Sequence, residues 1–154
     1  MKTLQVHVSV DIQATIAAVW NTLTRPELVK QYLFGTQMQA DWKVGGKITY
    51  SGEWEGKPYE DHGTILALEP QKKLVCTYWS AAFGEDIPEN YQTITYSVTP
   101  LQATNTPSSI PMTRLEITQD NVANEESREH SQNNWQYVAD KLSEVAQTQG
   151  ALQF

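Results

Sequence analysis

Between Leu4 and Val10 apolar and polar residues alternate, with Leu4, Val6, Val8 and Val10 on one side and Gln5, His7 and Ser9 on the other. A period of two is that of a half-buried strand, so a first strand is predicted over residues 3–10. The period becomes helical at Ile16, Val19, Trp20 and Leu23. Thr24 and Glu27 then make a capping-box pattern with Pro26 in the first turn, which predicts a second short helix carrying Leu28, Tyr32 and Leu33. From Thr36 to Gln119 short β-type runs are separated by Gly, Pro, Asn and Asp. That texture predicts an antiparallel meander of six strands over residues 36–41, 47–54, 61–68, 74–79, 91–99 and 113–119. Residues 80–90 read as a loop. Residues 100–111, with three prolines and no period, read as an exposed, mobile hairpin loop. Asn124 is placed to cap a last helix with Glu125 and Glu126 in its first turn, running to about residue 149 and stopped by Gly150. Its apolar face is Trp135, Val138, Ala139, Leu142, Val145 and Ala146.

A strand, two short helices, six strands and a long helix imply an α+β architecture, a curved seven-stranded antiparallel sheet gripping the terminal helix. Strand parity assigns the inner face Ile48, Tyr50 and Trp54; His62, Thr64, Leu66 and Leu68; Leu74, Cys76 and Tyr78; Ile94, Tyr96 and Val98; and Leu115 with Ile117. The opposite positions, such as Lys47, Thr49, Thr93, Thr95, Arg114 and Glu116, are polar, as a solvated face requires.

Composition narrows the picture. The 154 residues suit one domain, and 40% hydrophobic content with five Trp and seven Tyr excludes intrinsic disorder. A net charge of −7 opposes binding to nucleic acid or to an anionic membrane. No apolar run approaches the roughly 20 residues of a membrane span. Cys76 is the sole cysteine, and the opening Met1-Lys2-Thr3-Leu4-Gln5 does not read as a leader, so a reducing, cytoplasmic setting is expected.

Several segments carry a family resemblance. Val19-Trp20 precedes Leu23-Thr24-Arg25-Pro26-Glu27; Asp41-Trp42-Lys43-Val44-Gly45-Gly46-Lys47 follows; Gly63 stands before Leu68-Glu69-Pro70 and Lys73-Leu74-Val75; and residues 113–118 and the Trp135 helix complete the series. In this order they resemble the activator of heat-shock-protein 90 ATPase homologue family, of the START-like, Bet v 1-like helix-grip superfamily. The resemblance implies a helix-grip fold over nearly the whole chain and a cavity between sheet and terminal helix. It also implies a possible chaperone partner, although 154 residues leave no room for the separate N-terminal domain of eukaryotic activators.

Nothing in the sequence matches a nucleophile elbow, phosphate loop, zinc-protease helix or paired-cysteine site, and no cofactor motif is present. Glu60-Asp61-His62 is the one cluster that invites metal or acid–base chemistry, but neighbouring residues on a strand point to opposite faces and cannot converge. The expected cavity lining is Tyr50, Trp54, His62, Leu66, Tyr78, Tyr96 and Trp135, since aromatic rings give stacking surface and Tyr and Trp add a polar tip. Cys76 reads as an apolar filler. Three functions compete: non-catalytic binding of a small hydrophobic or aromatic molecule, a chaperone-associated interaction module, and a START-like cyclase or hydrolase with His62 and Tyr96 as candidate acid–base groups.

Overall fold

The computed structural model describes residues 4–33, 35–101, 111–122 and 124–151. Residues 102–110 of the anticipated mobile loop lie outside them.

Strand β1 (Leu4–Ile12) leads into helices α1 (Ile16–Thr24) and α2 (Pro26–Tyr32). Six strands follow: β2 (Gln37–Ala40), β3 (Lys47–Trp54), β4 (Lys57–Glu69), β5 (Lys73–Tyr78), β6 (Gln92–Leu101) and β7 (Met112–Val122). Helix α3 (Glu125–Ala151) ends the described chain. All seven strands form one sheet in the order β1-β7-β6-β5-β4-β3-β2, every neighbouring pair antiparallel. The helices cover one face, which is the expected α+β helix-grip arrangement.

Local chemistry accounts for most boundaries. Thr15 caps α1 by accepting a hydrogen bond from the Ala18 amide at 3.1 Å. The Thr24–Glu27 capping box does not form. Thr24 is still inside α1, where its Oγ1 donates to the Trp20 carbonyl at 2.9 Å, and the cap of α2 is Arg25 without a side-chain bond. Pro26 at the first helical position supplies the start instead, because its missing N–H would have no partner there. Asn124 caps α3 as anticipated, its Oδ1 accepting from the Ser127 amide at 2.8 Å. Gly150 does not stop α3, which continues to Ala151; one glycine costs a helix only about 1 kcal/mol relative to alanine. The β3–β4 turn is tighter than predicted. Glu55 and Gly56 both have positive φ, 52° and 78°, as a two-residue hairpin of right-handed twist demands, so β4 starts at Lys57.

One parity assignment is corrected, that of β4. Its inward residues are Tyr59, Asp61, Gly63 and Ile65, whereas Thr64 and Leu66 are exposed. A register shift between Ile65 and Ala67 adds a residue and returns Leu68 to the inner side, opposite Leu74. Counting back from Leu68 by twos therefore assigns the wrong face to everything before the bulge. The inner faces of β5, β6 and β7 are as expected, with Leu74, Cys76, Ile94, Val98, Leu115 and Ile117 buried.

The helix buries Val138, Ala139, Leu142, Val145 and Ala146. Helix α3 packs on β1 and on the α1–α2 pair. Its first half touches the sheet through Gln132, whose Nε2 donates to the His7 carbonyl at 2.9 Å, and through Trp135, and leaves a space over the inner faces of the middle strands.

Candidate functional site

Between the N-terminal half of α3 and the inner faces of β3 to β7 lies a half-open cavity of about 1050 Å³. Four strands contribute its aromatic floor through their parity: Tyr50 from β3, Tyr59 from β4, Tyr78 from β5 and Tyr96 from β6. Tyr50 and Tyr78 meet edge to face with ring centres 5.8 Å apart, and Phe83, from the loop after β5, meets Tyr78 the same way at 5.8 Å. Helix α3 supplies the roof with Trp135 and Val138, and the indole stands edge-on to Tyr96 at 6.0 Å.

Polar groups are set into this apolar shell at fixed places. Trp135 Nε1 donates to Gln119 Oε1 at 2.6 Å, and the Gln119 amide in turn donates to Gln92 Oε1. Gln92 and Gln119 are both buried, so this chain of bonds satisfies two amides on the sheet and ties the helix to β6 and β7. Across the cavity, the Tyr78 hydroxyl donates to Asp61 Oδ2 at 2.5 Å, and Thr36 Oγ1 and the Tyr59 hydroxyl share a bond of 2.5 Å. Burial pushes the Tyr78 phenol well above its ordinary pKa, and the bond to the Asp61 carboxylate adds to the shift. Burial likewise raises Tyr50 and Tyr96. The rim is polar, with Glu53, Glu89, Asn124, Glu126, His130 and Asn134.

Of the seven residues expected to line the cavity, Tyr50, Tyr78, Tyr96 and Trp135 do so. Two do not, because of the β4 bulge. Leu66 is 47% exposed on the outer side. His62 also faces away, stacked on Trp79 with ring centres 5.0 Å apart and with its Nε2 2.9 Å from Asp86 Oδ2 and 3.0 Å from the Tyr91 hydroxyl. It fastens the loop between β5 and β6 to the outside of β4. With His62 outside, the acid–base pairing of His62 with Tyr96 has no geometry. The Trp54 side chain is outside the described residues. Sequence reasoning missed Asp61, Tyr59, Gln92 and Gln119. The last two share parity with Ile94 and Ile117, and that was the available signal.

The model of the family described as activator of Hsp90 ATPase homolog 1-like protein matches residues 13–147. The chain belongs to this family. Its fold recurs in a Cytophaga hutchinsonii protein of known solution structure, 36% identical over 97% of both chains, with a TM-score of 0.80. A Mesorhizobium loti protein is 22% identical over 94% of this chain and 98% of its own, at a TM-score of 0.71. An HSP90 activator from Plasmodium falciparum, 18% identical, covers 86% of this family member and 87% of itself at 0.63. At those lower identities the likeness is one of fold. Comparison with curated proteins gave no match.

Proposed function

We propose that this family member is a non-catalytic carrier or receptor that shelters a small, largely apolar or aromatic molecule between the sheet and the first half of α3. The observation that carries the reading is the cavity itself, about 1050 Å³ with an aromatic floor, an indole roof and a few polar groups already held in place by hydrogen bonds. That is the size and chemistry of a small-molecule site. A sheet and helix packed only for stability would close this volume, because unfilled apolar space forfeits dispersion contacts.

The test is a thermal-shift screen of neutral aromatic and apolar compounds on the full chain. A guest held only by the folded state at a hundred times its Kd raises the Tm by about 5–10 °C in a protein of this size. A broad screen that leaves the Tm unmoved removes the reading.

A second reading rests on the family match and on the Plasmodium falciparum structural neighbour, an HSP90 activator. Here the chain associates with a chaperone of that class. Purified cognate chaperone, assayed for ATP turnover with and without this protein, decides it: stimulation supports the association, and unchanged turnover together with no capture in a pull-down dismisses it.

A further inference from the structure

The charges around the cavity are one-sided. Among the described lining residues, phenols apart, the ionisable groups are the carboxylates of Glu53, Asp61, Glu89 and Glu126 and the rim imidazole of His130, with no lysine or arginine. Three of the carboxylates are exposed at the rim, while Asp61 is set deeper, on the inward face of β4. Asp61 sits within a cage of rings, bonded to the Tyr78 hydroxyl and sharing the cavity wall with Tyr50, Tyr59 and Phe83. No described cation forms an ion pair with it.

We infer that the molecule this cavity takes is a cationic amphiphile: an aromatic or apolar body ending in a protonated amine, with the ammonium directed to Asp61. This rests on the binding reading above and specifies it. An anionic guest such as a fatty acid would carry its carboxylate into a site that already holds one and offers no cation to pair it, which is costly away from bulk water. A protonated amine reverses every sign. It gains a charge-assisted hydrogen bond to Asp61 at a wall shared with Tyr50, Tyr59 and Tyr78, where the apolar body of the molecule packs on aromatic surface. The Tyr78 hydroxyl holds the carboxylate in place from the other side, so little side-chain freedom is lost on binding. The acidic rim and the net charge of −7 draw a cation toward the mouth.

The experiment uses the full chain with a neutral fluorescent probe, N-phenyl-1-naphthylamine, displaced in turn by 4-phenylbutylamine and 4-phenylbutyrate at pH 7.5. The expected result is probe binding, with the amine displacing it at about tenfold lower concentration than the carboxylate. Asp61→Asn keeps an acceptor for the Tyr78 hydroxyl and is expected to erase most of that preference while still binding the neutral probe. Equal displacement by both compounds, or a preference for the carboxylate, overturns the inference and leaves the cavity reading standing. A preference that survives in a folded Asp61→Asn variant overturns the role of Asp61. Failure of the probe and of every neutral compound to bind overturns the cavity reading itself. The comparison on the unaltered chain stands even where the variant loses stability.

Discussion

Cys76 shows how far placement alone decides a side chain's chemistry. It points inward from β5 at 1% exposure, and burial pushes its thiol up to about 12, against a hydrogen bond with Tyr50 that acts in the opposite direction. A thiol must ionise and be reached before it reacts. The expected outcome is that Ellman's reagent at pH 8 leaves the folded protein unmodified for hours and labels one thiol per chain in denaturing urea. Rapid labelling of the native protein would mean that the cavity floor opens. The sequence made this residue legible, because Leu74, Cys76 and Tyr78 share one strand face with no interruption. It hid Asp61 for the opposite reason. A carboxylate beside Glu60 and His62 reads as part of a solvated strand entrance, and only the pairing with the Tyr78 hydroxyl at 2.5 Å shows why it is tolerated inside.

At the scale of elements, turn residues and periodicity set the order and number of strands and helices, while the one misassigned face belongs to β4. A β-bulge leaves no trace in a count of alternate residues, and the apolar Leu66 and Leu68 make the wrong register look attractive. Gly63 was the available warning. A Cβ there would lie 1.7 Å from the Thr77 carbonyl oxygen, so the glycine marks a close approach of two strands. The correction gives His62 a different task. Its imidazole nitrogen, bonded to a carboxylate that only accepts, donates toward Asp86, while the Tyr91 hydroxyl donates to Asp86 Oδ1 at 2.5 Å. Trp79 Nε1 and the Asn90 amide both donate to the Glu85 carbonyl, at 3.0 and 2.9 Å. These bonds pin the loop that brings Phe83, Glu89 and Asn90 to the cavity rim. Asp86→Ala is therefore expected to speed hydrogen exchange of amides in residues 81–90 by about tenfold, the loss of one or two bonds of ordinary strength, while exchange in β6 and β7 is unchanged. Uniform acceleration across the sheet would show that the contact supports the whole fold and not the loop.

For the whole molecule, the same phenols that build the cavity set its tolerance of alkali. Tyr32, Tyr50, Tyr78 and Tyr96 are all raised by burial above the ordinary value of 10.0, and Tyr91 is raised to about 12 chiefly by its bond to Asp86. A phenol that holds its proton more tightly in the folded than in the unfolded chain stabilises the fold fully below the unfolded pKa. That contribution is lost as pH rises from 10 through the folded value. Three of the five, Tyr50, Tyr78 and Tyr96, stand on the cavity wall, where their ionisation would place up to three negative charges around a carboxylate that is already there. The fold should therefore give way in one cooperative step above about pH 11, and absorbance of tyrosinate at 295 nm should reach its full value for seven tyrosines only with the loss of far-ultraviolet dichroism. Full tyrosinate absorbance of all seven tyrosines near pH 10 with the dichroism intact would instead mean that water fills the cavity and solvates its rings, and the apolar environment that the binding proposal requires would be absent.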